Sequence, residues 1–233
     1  MRTNNKGRSA RLALFLFGLS GLVPVLALAG SPPDTMPLIY LLFVASVFVC
    51  RRPCLPAGAL VPAFVVTGWV TEVLAWGSDV LAGKAIPVTF HPQLGVDLVL
   101  ATGFYGGLGL GWALLRRWFA FSLAEVFVLA GIFGVLIEQD GAVLGAILAN
   151  LATAPLGAAT MALYVFAVYG AFSALPMRLT APGPGRSRHW VRGPLALAAA
   201  VVLPRLGMGL ILGLWSLLGG VPAARSALAH PLW

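Results

Sequence analysis

Seven apolar runs constrain the fold of this chain more than any motif in it. The runs are Leu12–Ala29, Met36–Cys50, Leu55–Trp76, Leu94–Leu115, Phe119–Gln139, Ala142–Leu175 and Gly193–Gly220. A spanning helix needs about 20 mainly apolar residues, and most of these runs reach or approach that length. The 233 residues are 60% hydrophobic and only 9% charged, which is unlike the mixture found in soluble globular proteins. The sequence therefore predicts an all-α, polytopic membrane bundle of about seven transmembrane helices, forming one membrane domain over residues 1–233.

Two of the runs have more than one interpretation. Residues 1–29 combine a basic leader with an apolar stretch ending in Ala27-Leu28-Ala29, so they read either as the first transmembrane helix or as a signal-like segment. Cleavage after Ala29 would leave six helices. The run Ala142–Leu175 is too long for one untilted span and contains Pro155. It is either one kinked helix or a short re-entrant helix followed by a span.

The basic residues predict the orientation of the chain. Twelve of the 15 Lys and Arg residues fall in alternate loops, including a basic loop over residues 176–193. The positive-inside rule places these loops in the cytoplasm. We therefore expect a bacterial inner-membrane protein with a cytoplasmic N-terminus, an extracytoplasmic C-terminus and an outer loop over residues 77–93. Basic residues dispersed among apolar runs argue against nucleic-acid binding, and the lipid bilayer is the expected partner.

Arg205 is the one basic residue placed well inside an apolar run. At about 1.5 Å per residue it lies roughly 20 Å along the helix from Arg192, far from either interface. A guanidinium at that depth is expected to face other helices and to have an acidic or carbonyl partner. Glu72 and Glu125 have suitable depths, so these three residues form a predicted intramembrane polar site. Its role is either a structural ion pair or a proton, substrate or anion site.

A second group of polar residues is predicted on the outer side. His91, Asp97, Glu138 and Asp140 carry imidazole and carboxylate groups, which suit a divalent cation or acid–base chemistry. Asp97 at a helix start and Asp140 in a turn also have ordinary structural explanations. The spacing does not define a metal site, and no catalytic residue or cofactor follows from it.

A short segment resembles a known family. His91-Pro92-Gln93-Leu94-Gly95-Val96-Asp97 resembles the HPxxGxD part of the motif in the HupE/UreJ nickel permeases, which are small bacterial membrane proteins. The resemblance implies nickel binding at His91 and Asp97. Leu98 stands where that family has a second histidine.

Three glycines spaced four residues apart predict a helix-packing surface. Gly103, Gly107 and Gly111 lie on one face of the fourth run, and such a ridge lets another helix approach closely.

The sequence is compatible with three functions. The first is a permease or transport-complex component with a polar site around Arg205, which suits an intramembrane charge beside proline-broken helices. The second is a non-catalytic structural or assembly subunit of a larger membrane complex, with membrane-protein partners or a homo-oligomer. The third is a membrane-embedded enzyme or divalent-cation site using His91 and the outer carboxylates. It requires a cavity that joins His91 to at least two of Glu72, Asp97 and Glu138.

Overall fold

A computed structural model describes residues 20–30, 34–50 and 52–233 of the chain. The first helix, α1, is described over residues 20–28. The other helices are α2 (Leu38–Val49), α3 (Leu60–Leu81), α4 (Leu94–Trp118), α5 (Leu123–Ile137), α6 (Ala142–Asn150), α7 (Pro155–Leu179) and α8 (Arg192–Leu217). The described residues contain no β-strand, only two isolated bridges. The predicted all-α bundle is therefore confirmed.

Five segments of the described chain are long and apolar enough to cross a membrane. They are Ala57–Leu81, Leu94–Trp118, Leu123–Asn150, Pro155–Leu179 and Arg192–Leu217. The shorter α2 is also apolar, with 12 residues. Residues 12–19 of the first predicted run lie outside the described part of the chain, so its cleavage stays a prediction. The protein is a helical membrane bundle.

Helix α4 packs mainly against α3 and α8, while α5 packs mainly against α7. The contact with α8 is made through glycine. A Cβ on Gly103 would lie 2.5 Å from Gly207 O, and a Cβ on Gly107 would lie 2.1 Å from Leu203 O. Gly111 also faces this helix, with Leu203 Cδ1 3.2 Å from its Cβ position. All three glycines of the predicted ridge thus lie against α8, and the backbones touch because no side chain separates them.

A break interrupts the fifth span between α5 and α6. Residues Glu138–Gly141 form a short 3₁₀ turn in which Gln139, Asp140 and Gly141 all have positive φ angles. Three consecutive left-handed residues cannot continue an α-helix. Beyond them α6 has only nine residues, and Pro155 then begins α7 at a position where a missing N–H is tolerated. Of the two interpretations of Ala142–Leu175, the structure has the short helix followed by a span.

The two ends of the bundle carry different loops. One end, which we call the basic end, contains Arg116, Arg117, Arg178, Arg186 and Arg188. Residues 180–191 at this end are hydrogen-bonded to the segment between α4 and α5, for example from Ala120 N to Ser187 O at 2.9 Å. At the opposite end, which we call the tail end, residues 82–93 meet the C-terminal tail. Because α3 continues to Leu81 and α7 to Leu179, both connections are shorter than the predicted 77–93 and 176–193. The predicted connections began too early because Ser78 and Asp79 lie in the last turns of α3, and Pro176 and Arg178 lie in the last turn of α7.

Candidate functional site: an acidic, aromatic cavity at mid-depth

A cavity of about 600 Å³ lies among the spanning helices. Its walls come from α3, α4, α5, α7 and α8, from the break at Glu138–Gly141, and from residues 88–90 of the tail-end connection. Irregular backbone at membrane depth is tolerated where it lines such a cavity. The break in the fifth span therefore has a place in which its polar groups can be accommodated.

The ionisable residues of the cavity come from different helices but lie at similar depths. Measured from the basic end at about 1.5 Å per residue, Glu72, Glu138 and Arg205 lie roughly 18 to 22 Å along their helices. The hydrocarbon core is about 30 Å thick. The cavity thus gathers its charges in the interior of the bundle rather than at either end.

Both glutamates of the cavity are held by tyrosine hydroxyls. Tyr105 on α4 donates a hydrogen bond of 2.7 Å to Glu72 Oε1 on α3. Tyr169 on α7 donates to Glu138 Oε2 at the break. Each bond links two segments, so the tyrosines fix the positions of the carboxylates while leaving one oxygen of each for another contact.

Arg205 lines the same cavity but pairs with neither predicted glutamate. Its Nη2 lies 3.6 Å from Asp140 Oδ1, and its Nη1 donates to Val201 O at 3.2 Å on its own helix. The Arg205 side chain is 54% exposed and that of Asp140 is 97% exposed. The pair is therefore a loose contact at the edge of the cavity. Arg205 has an acidic and a carbonyl partner, as expected, but the acid is Asp140 rather than Glu72 or Glu125.

Glu125 lies at the basic end, away from Arg205. It occupies the first turn of α5, where it forms a capping box with Ser122 and an ion pair with Arg192. The sequence placed it deeper because the fifth apolar run begins at Phe119. In the structure the helix starts only at Leu123, because Ser122 caps its N-terminus by accepting a hydrogen bond from Glu125 N.

The predicted outer group divides between two places. Glu138 and Asp140 line the cavity, whereas His91 and Asp97 belong to a network that attaches the C-terminal tail. His91 Nε2 lies 3.0 Å from Pro222 O, its Nδ1 accepts from Gln93 N at 3.2 Å, and its backbone N donates to Asp97 Oδ1 at 3.0 Å. The enzyme hypothesis required a cavity that joins His91 to at least two carboxylates. His91 does not line the cavity that contains Glu72 and Glu138.

Gln93 completes the attachment of the tail. Its side chain donates to Arg225 O at 2.9 Å and His230 O at 3.1 Å, and it accepts from Arg225 N at 3.2 Å. The first amides of α4 are satisfied in the same way, since Leu94 N and Gly95 N donate to carbonyl groups of the tail. Helix N-termini leave such donors unpaired. The HPQLGVD segment thus has a structural explanation in the folded chain.

The tyrosines are the site residues that sequence reasoning missed. Tyr105 and Tyr169 each lie deep inside an apolar run, and a buried tyrosine hydroxyl usually has a hydrogen-bond partner. That rule identifies them as polar positions, but the sequence does not show which acid each one meets. The partners depend on which helices are neighbours.

No cluster of three or more His, Cys, Asp or Glu residues suited to a metal ion occurs in the described part of the chain.

Comparisons with known proteins identify no relative. No family model, curated protein or solved structure matches the sequence or the fold. The likeness to the nickel permeases is therefore limited to the seven residues His91–Asp97.

Proposed function

We propose that this chain is a small permease, or the solute-conducting component of a transport complex, in the bacterial inner membrane. The observation that carries the proposal is a cavity of about 600 Å³ at mid-depth that contains Glu72, Glu138 and Arg205. Ionisable residues inside a membrane bundle are costly and commonly mark solute or proton pathways. The volume falls within the range of about 300 to 1,000 Å³ that is usual for small-molecule sites.

The broken fifth span supports the same proposal. Transporters commonly place their binding sites near the middle of the membrane, at helices that are interrupted there. Here the interruption at Glu138–Gly141 contributes Glu138 and Asp140 directly to the cavity. A purely structural subunit has no need of an interrupted helix beside a cavity of this size.

The cavity can be blocked without disturbing the packing. Gly209 on α8 lines the cavity, and a Cβ at this position meets no atom within 4 Å. Gly213, one turn further along the same helix, also has open space but is outside the cavity lining. Gly209→Phe therefore adds a bulky side chain at the cavity wall and should narrow the cavity, while Gly213→Phe is a matched control with the same change in size and hydrophobicity.

The test measures solute release from liposomes. Vesicles containing the purified protein are loaded with a mixture of amines, amino acids, organic acids and sugars, and release is followed by mass spectrometry. We expect wild type and Gly213→Phe to release at least one solute faster than protein-free vesicles, and Gly209→Phe to release it more slowly than Gly213→Phe. Equal release from wild-type and protein-free vesicles would refute the proposal, as would equal release by the two phenylalanine variants.

Arg205→Ala tests the contribution of the arginine separately. Arg205→Ala removes the contact of 3.6 Å with Asp140, so the folding of the variant is checked by its free energy of unfolding before release is compared. Reduced release from a normally folded Arg205→Ala protein would place the guanidinium in the pathway. Undiminished release would remove Arg205 from the pathway and leave the cavity glutamates as its polar groups.

A further inference from the structure

The cavity has an excess of acidic groups. Glu72, Glu138 and Asp140 line it, and Arg205 is the only Lys, Arg or His among the described residues that does so. The ion pair between Arg205 and Asp140 leaves Glu72 and Glu138 without a basic partner in the described part of the chain. An anionic solute would meet two uncompensated carboxyl groups, so the charge of the lining favours a cation.

The two glutamates each present a free oxygen. Tyr105 donates to Glu72 Oε1 and Tyr169 to Glu138 Oε2, and no hydrogen-bond donor among the described residues reaches Glu72 Oε2 or Glu138 Oε1. Glu72 is only 8% exposed, which keeps it from bulk water. A buried carboxylate is costly without a countercharge. A positively charged ligand in the cavity would supply that countercharge.

Six aromatic rings form a connected chain along the cavity wall. The rings belong to Phe90, Phe104, Tyr105, Phe172, Tyr169 and Phe133, and successive centroids are 5.0 to 6.1 Å apart. The faces of aromatic rings attract cations, and cages of such rings are a common means of binding quaternary ammonium groups. The two tyrosines that hold the glutamates belong to this same chain, so the acidic and aromatic parts of the lining form one surface.

From these observations we infer that the cavity binds an organic ammonium ion, whose charge is balanced by Glu72 and Glu138 and whose carbon body contacts the aromatic rings. This inference rests on the proposed function and names its substrate class. An inorganic divalent cation fits less well, because most of the wall is aromatic or aliphatic and hard cations require several oxygen ligands.

Three soluble compounds of nearly the same shape test the role of charge. Choline is the cation, 3,3-dimethylbutan-1-ol is its neutral counterpart, and 3,3-dimethylbutanoate is an anion. Binding of each to wild-type protein in lipid nanodiscs is measured by isothermal titration calorimetry at constant ionic strength, with tetraethylammonium and benzyltrimethylammonium as larger cations. We expect at least one ammonium ion to bind, and neither the alcohol nor the carboxylate to bind as tightly. If no ammonium ion binds, or if the neutral or anionic compound binds equally well, the inference is wrong.

Variants then locate the binding site. Glu72→Gln and Glu138→Gln keep an acceptor oxygen for the tyrosines but remove the negative charge, so each should weaken ammonium binding at least about tenfold. Glu125→Gln is the control, because this glutamate lies at the basic end and glutamine also supports a capping box. Wild-type affinity in a folded Glu72→Gln/Glu138→Gln double variant would overturn the inference.

The binding and release experiments fail independently. Ammonium binding that depends on both glutamates, without release of any solute from liposomes, would support the inference and refute the permease. Release of a neutral or anionic solute that Gly209→Phe blocks, without ammonium binding, would support the permease and refute the inference.

Discussion

The glycine contact between α4 and α8 allows a quantitative prediction at Gly107. Adding one methyl group, in Gly107→Ala, would place Cβ 2.1 Å from Leu203 O, 2.6 Å from Leu203 C and 2.9 Å from Pro204 Cα. All three are backbone atoms, so no side chain can rotate out of the way. Since an ordinary contact begins at 3.4 Å, α8 has to move away by about 1.3 Å.

The expected cost follows from this displacement. Overpacking in a tight core usually costs about 1 to 3 kcal/mol, and a contact between two backbones belongs at the upper end of that range. Alanine also favours a helix over glycine by roughly 0.5 to 1 kcal/mol, which offsets part of the loss. A comparison with another glycine of α4 cancels that second effect.

Gly106 is the matched control. It is adjacent to Gly107, but the nearest atom to its Cβ position is Val65 Cγ2 at 3.8 Å. We expect Gly107→Ala to be about 2 to 3 kcal/mol less stable than Gly106→Ala. The measurement is reversible unfolding in mixed detergent and SDS micelles, followed by tryptophan fluorescence. Equal free energies of unfolding for the two variants would show that α4 and α8 are not in backbone contact.

Two further predictions concern the ends of the bundle. Gln93→Ala removes three hydrogen bonds to the tail, each worth roughly 0.5 to 1.5 kcal/mol. Trypsin cleavage after Arg225 should therefore become about tenfold faster or more. An unchanged rate would mean that the tail is held by other contacts. At the basic end, the neighbouring Cys50 thiol raises the pKa of the Cys54 thiol, so Cys50→Ala should lower that pKa. Because the thiolate is the reactive form, Cys54 should then be alkylated faster by iodoacetamide near neutral pH, and a slower reaction would contradict this cause.

The architecture could largely be predicted from the sequence, because the bilayer imposes simple rules on the length and polarity of spanning helices. Run lengths predicted about seven spanning helices, and the described residues contain five that are long and apolar enough. The spacing of Gly103, Gly107 and Gly111 predicted a packing face, which lies against α8. The ends of the helices were harder to predict. The last turns of α3 contain Ser78 and Asp79, which look like loop residues, yet Lys84 pairs with Asp79 at 2.6 Å and the helix continues to Leu81.

The pairing of charged residues could not be predicted from the sequence, because the depth of a residue does not show which helices are its neighbours. Glu72 and Arg205 have similar depths and line the same cavity, as the sequence allowed, but each has a different partner. Asp140 reaches Arg205 because the chain turns at Glu138–Gly141. The sequence did not predict this turn, because positive φ angles such as those of Gln139 and Asp140 are uncommon outside glycine.

The contact between α4 and α8 and the cavity depend on the same helix. Only Ala196, Ala200 and Pro204 of α8 are buried, so the contact with the glycines of α4 is its principal attachment. The same helix carries Arg205 and Gly209 of the cavity wall. A displacement of α8 by Gly107→Ala therefore changes the cavity as well as the stability, and loss of transport in that variant would not identify the pathway. Gly209→Phe does identify it, because it changes the cavity wall while the glycine contact stays intact.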